Sequence, residues 1–126
     1  MHPREGKYSD AAAFPLRLGP TSAGVPLVSV ICNFPQGGHD SGLMEHSQVE
    51  TFLHEFGHLI HMLFGAQPDY TGLAMNNIEW DFVEAPSQML EEWVWDYASL
   101  SKFALNKDGE VLPKELFEKM LATRNL

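Results

Sequence analysis

Positions 54 to 61 read His-Glu-Phe-Gly-His-Leu-Ile-His, three imidazoles and a carboxylate set in otherwise apolar text. In a helix, residues four apart project from one face, so His54 and His58 point the same way one turn apart. Two imidazoles so placed can share one zinc ion at about 2.0–2.1 Å, the geometry behind the H-E-x-x-H pattern. Glu55 leans to the side of that pair. Zinc lowers the pKa of a water, and a neighbouring carboxylate can take its proton as the water attacks a carbonyl. Five residues also match this pattern by accident, on helices whose histidines face solvent, so the surroundings must decide.

Phe52, Leu53, Phe56, Leu59, Ile60, Met62 and Leu63 surround the polar positions. They leave Glu50, His54, His58 and His61 as a polar stripe within apolar surroundings. Buried polar groups need a partner or a metal. A zinc ion held by two histidines at a reactive site wants a third protein ligand, often a carboxylate from another element. The segment WDFVEAPSQMLEEW offers one, because Glu84, Gln88, Glu91 and Trp95 fall on one helical face. Glu84 is the expected ligand, with Glu91 behind it. The alternative is a solvated acidic face, the common fate of glutamates. Trp80, Phe82 and Val83 argue instead for a buried start to this helix.

Several elements must position these groups. Ala11–Leu18 and Val25–Phe34 are rich in small, β-branched and aromatic residues. They read as a strand pair joined by a turn at LGPTSAG. Their near-continuous apolarity predicts cover on both faces. PQGGHDSG follows as a loop. Phe52, Phe56, Ile60 and Leu63 then recur at helical spacing, giving a helix over about 47–65 that stops near Gly65 and Pro68. AQPDYTGLAMNN is a long loop. A second helix is predicted over about 81–101, where Pro86 is tolerable only within the first turn. A turn at NKDGE leads to a short helix over about 113–123, with Pro113 near its first position. The predicted class is α+β, mainly α: a strand pair beside the histidine helix, a glutamate-bearing helix and a short C-terminal helix. A single segment of 126 residues fits that plan, and its abrupt ends make excision from something longer an expectation.

Composition narrows the function classes. Eight Lys and Arg stand against 17 Asp and Glu, a net charge of −9, which repels phosphate backbones and argues against a nucleic-acid partner. No apolar run approaches the roughly 18 residues of a membrane span. The N-terminus lacks a signal-peptide layout, so a cytoplasmic location is expected. The one cysteine, Cys32, supplies no cysteine-type zinc site.

The pair VETFLHEFGHLIH and DFVEAPSQMLEEWVW resembles the thimet oligopeptidase family of zinc metallopeptidases. The likeness extends to PREGKYSDAAAF, VICNF and GEVLPKELFEKML, so that it spans essentially the whole chain. The resemblance implies one zinc ion held by His54, His58 and Glu84, with Glu55 as general base. It implies that Glu50 and Glu91 buttress the histidines, fixing tautomers and raising basicity. His61 is expected to be a packed, hydrogen-bonded histidine rather than a ligand. The implied substrates are short peptides; no substrate-binding residue is assigned. Departures are specific: Asp10 stands where the family usually has histidine, and Ser47 and Gln48 replace an acidic pair. The family's Gly- and Tyr-rich segment, which steadies the oxyanion, has no counterpart here. One oxyanion donor is worth about 10²–10³ in turnover, so a weakly active or inactive metal-binding fragment that self-associates is the alternative. A zinc amidohydrolase with another substrate is a second.

Overall fold

The computed structural model describes residues 4–18, 24–34, 43–66 and 78–124. It is a small α+β arrangement, mainly helical, with one two-stranded antiparallel sheet. The loop expected at PQGGHDSG, all of AQPDYTGLAMNN after Ala66, and most of the LGPTSAG turn lie outside the described residues.

Strand β1 (Ala12–Arg17) pairs with β2 (Leu27–Ile31), Ala12 facing Ile31 and Phe14 facing Ser29. The register slips between Pro15 and Arg17. A proline has no N–H to give the ladder, so an irregularity beside one is where a two-stranded ribbon tolerates it. The strands do not receive the two-sided cover expected of them. Phe14, Leu16, Val25 and Leu27 are exposed, because α1 is the helix that packs on this sheet. Asn33 Nδ2 donates to the Tyr8 and Asp10 carbonyls, and Lys7 Nζ donates to the Cys32 carbonyl at 2.6 Å. These bonds tie the residues before β1 to those after β2.

Helix α1 covers His46–Gly65, within a residue of its predicted start. Gln48 stands at its third position, and its side-chain oxygen accepts from the Glu45 N–H at 2.8 Å. That is half of a reciprocal N-terminal capping box. The glutamine that departs from the acidic pattern therefore has a local structural use. The face of α1 that is buried differs from the one read by apolar spacing. Glu55, Gly57, His58 and Met62 are buried, whereas Phe56 is exposed. The cause is the next segment, which packs on the Gly57–His58 side.

That next segment is broken where one continuous helix was expected. Turns over residues 80–84 lead into α2 (Ala85–Glu91), then a 3-10 turn at Glu92–Trp95, an extended Asp96, and the single turn α3 (Tyr97–Leu100). Pro86 sits in the first turn of α2, where its missing N–H has no helical partner to lose. Asp96 stops the run. Its backbone is extended (φ −103°, ψ 114°), and its Oδ2 accepts from Ser99 N at 2.9 Å, capping α3. A side chain that bonds the backbone three residues on competes with helix continuation. The expected buried start also fails: Val83 is buried, but Trp80 is 90% exposed and Phe82 is exposed.

After α3 the chain turns tightly at Gly109 (φ 79°), closed by a bridge between Leu105 and Val111. Helix α4 (Lys114–Arg124) follows, with the Leu116 and Phe117 N–H groups donating to the Pro113 carbonyl. The core forms where these pieces meet the N-terminal half of α1. Val94, Leu100 and Phe117 are buried there, packed by Val49, Leu53, Tyr97, Leu112 and Leu121. Trp95 closes one side of it. Its indole donates to Glu50 Oε1 at 2.8 Å, His46 meets its edge, and the Arg124 guanidinium lies 4.8 Å over its ring. Arg124 also pairs with Glu92 through both terminal nitrogens. Burial pushes the His46 imidazole below its ordinary value, so it sits in this cluster as a neutral ring. No helix among the described residues is long and apolar enough to cross a membrane.

Candidate metal centre

One turn of α1 separates His54 from His58, and their Nε2 atoms lie 3.1 Å apart. Glu84, the residue before α2, brings Oε2 to 3.2 Å from His54 Nε2 and 3.1 Å from His58 Nε2. Two nitrogens and an oxygen thus form a nearly equilateral triangle. Tetrahedral ligands at about 2.0–2.1 Å from a metal stand about 3.3 Å from one another. The observed spacing is within a few tenths of an ångström of that. Among the described residues this is also the cluster whose donors fit a metal ion.

The chemistry of the donors agrees with the spacing. His54 Nδ1 donates to Glu91 Oε1 at 2.5 Å. A neutral imidazole that gives its proton there presents a bare lone pair at Nε2. That lone pair, the Glu84 oxygen and the second imidazole repel one another unless a cation or a proton sits among them. Loss of such an outer hydrogen bond typically weakens metal binding by about 10–100-fold. Glu91→Ala, which removes the acceptor, should therefore reduce metal affinity within that range, measured by zinc titration against a competing chelator.

Two residues that spacing alone did not mark hold this geometry. Gly57 lies between the two histidines. A Cβ built on it would stand 2.5 Å from Ser87 Cα and 2.8 Å from the Pro86 carbonyl oxygen. Only a residue without a side chain lets α2 come this close to α1, and a glycine inside a helical pattern signals such an approach. Ser87 is fully buried, and its hydroxyl lies 2.8 Å from the Glu84 carbonyl and 2.9 Å from Glu84 Oε2. Nothing in a lone serine of APSQ marks it beforehand.

Glu55 is buried on α1 and stands outside the donor triangle. Burial, then the Glu55 charge, push the Cys32 thiol up, so Cys32 stays protonated beside it. Glu50 does not reach the histidines; its carboxylate accepts from Trp95 instead. His61 packs edge-on to Phe82, but its buried Nδ1 has no hydrogen-bond partner among the described residues. Burial, then neighbouring His58, hold its imidazole below the ordinary value. The expected hydrogen bond of His61 is thus not formed among the described residues.

Comparison with known proteins gives this site a family. A family model described as Peptidase family M3 matches residues 1–126, the whole chain. The chain belongs to peptidase family M3. Among M3 relatives, saccharolysin of Saccharomyces cerevisiae is 37% identical over the full chain, and the match covers 18% of saccharolysin. Thimet-like oligopeptidase of Dictyostelium discoideum is 39% identical, again over the full chain and 20% of the relative. Oligopeptidase A of Escherichia coli is 35% identical over 97% of the chain and 18% of its own length. The chain therefore spans about a fifth of the M3 relatives it matches. Family membership makes it a peptidase-family sequence, and the stretch it shares with these relatives contains the whole donor triangle.

Proposed function

We propose that the chain is the zinc-binding catalytic segment of an M3 metallopeptidase that hydrolyses short peptides. The observation that carries this is the convergence of His54 Nε2, His58 Nε2 and Glu84 Oε2 within 3.2 Å of one another. Two histidines and one glutamate make a three-donor set, the composition of catalytic zinc sites; structural sites use four protein ligands. These three residues would hold one zinc ion. When bound, zinc supplies Lewis acidity toward water and toward a peptide carbonyl.

The chain's own groups do the rest. Glu91 keeps His54 in the tautomer that offers Nε2. Glu55 takes the proton from the attacking water on its carboxylate and passes it to the departing amine nitrogen. Its buried setting, 8% exposed, keeps that carboxylate out of bulk water. The names of two relatives, the thimet-like oligopeptidase of Dictyostelium discoideum and oligopeptidase A of Escherichia coli, support oligopeptides as the substrate class. A cytoplasmic location is part of the same reading.

The test is metal content followed by turnover. The purified chain should hold one zinc per molecule and should cleave a quenched fluorescent peptide. Chelation should abolish cleavage, and added zinc should restore it. Zinc bound at one equivalent with no chelator-sensitive cleavage would keep the metal centre and remove the peptidase activity from this chain. Failure to bind zinc would remove both.

A further inference from the structure

We propose that Ser87 is the positioning residue for Glu84, setting the metal affinity of the centre by holding the Glu84 carboxylate against the two histidines. This rests on the reading of His54, His58 and Glu84 as metal ligands. The Glu84 side chain is half exposed (49%), so packing alone does not fix it. Among the described residues, its carboxylate is met by the two imidazoles and by one further donor, the Ser87 hydroxyl. That hydroxyl addresses Oε2, the same oxygen that faces both Nε2 atoms.

The hydroxyl has one proton and two acceptors within reach, the Glu84 carbonyl at 2.8 Å and Oε2 at 2.9 Å. The carboxylate carries the charge and is the stronger acceptor. Ser87 is itself a fixed point. It is fully buried, and its backbone lies so close to Gly57 that a Cβ there would overlap Ser87 Cα. Gly57 belongs to the helix that carries both histidines. A short mechanical path therefore runs from the α1 backbone through Ser87 to the third donor. Without the hydroxyl, a half-exposed glutamate is free to swing into solvent, and the ion must recruit it on binding.

A double-mutant cycle on zinc affinity tests this in the full 126-residue chain. The four proteins are the parent, Ser87→Ala, Glu84→Ala and the double variant, each titrated with zinc against a competing chelator. Ser87→Ala should weaken zinc binding by about tenfold or more, and should weaken it no further once Glu84 is alanine. An equal loss in both backgrounds, or no loss in the first, overturns the positioning role while leaving the ligand assignment standing. Glu84→Ala without any loss overturns the ligand assignment, and this inference with it. Far-UV circular dichroism without metal reads folding. If Ser87→Ala unfolds, Ser87→Gly takes its place in the cycle; if both unfold, the serine is structural and the inference fails.

Discussion

Turnover of a short quenched peptide should fall by about 10²–10⁴ when Glu55 is replaced by glutamine, with zinc still bound. Glutamine keeps the size and one oxygen of the side chain but has no basic carboxylate to take a proton. Glu55 is buried on the same helix as His54 and His58 and lies outside the donor triangle. Its loss is therefore expected in kcat and not in metal affinity. The measurement is a pair of numbers on one preparation: zinc affinity by chelator competition, and the rate of chelator-sensitive cleavage. Undiminished cleavage in Glu55→Gln would take Glu55 out of the mechanism. A parallel fall in zinc affinity would make it a structural support of the site.

Gly57→Ala should lower both the stability of the chain and its affinity for the proposed metal. In an open helix the same change stabilises by about 1 kcal/mol, because alanine is the better helix former. Here the new Cβ would stand 2.5 Å from Ser87 Cα, 2.8 Å from the Pro86 oxygen and 3.0 Å from Ser87 N. All three are backbone atoms, so no flexible side chain can give way. Overpacking of this kind usually costs about 1–3 kcal/mol, and a backbone-on-backbone clash belongs at the upper end. That outweighs the propensity gain and should lower the thermal midpoint by several degrees for a chain of this size. α2 must move off α1, carrying Glu84 and Glu91 away from the histidines. Zinc affinity should fall together with stability, and thermal unfolding with and without zinc would show both. A Gly57→Ala protein with parental affinity would mean that α2 docks less tightly than the geometry states.

The parts of this site that sequence made legible are those carried by local periodicity. His54 and His58 meet because four residues are one helical turn, and apolar spacing marks that helix almost to its ends. Glu84 was reachable because a zinc site of this kind needs a carboxylate from another element and one acidic face was on offer. Periodicity fails where a single side chain overrides it. Asp96 ends the second helical run by capping Ser99, a bond that apolar spacing does not register. The apolar stripe of Phe52, Phe56, Ile60 and Leu63 points to one face of α1, yet docking of α2 buries another. Glu50 is drawn to the Trp95 indole, a residue 45 positions away, instead of to the histidine one turn on. Contacts of that range depend on how separate elements meet, and no local pattern encodes them.

The triangle has a thermodynamic asymmetry built into its connectivity. Two of its corners are neighbours on α1, while the third arrives only when the segment after residue 78 lies against that helix. A denatured chain keeps the histidine pair close but loses the carboxylate. It therefore competes for the ion weakly. Zinc held as proposed would select the folded ensemble by mass action, by up to about 4 kcal/mol at a thousandfold excess of free ion over its dissociation constant. On the proposed zinc reading, the fraction of intact molecules should then track ambient metal supply, with scarcity acting on the fold as heat does.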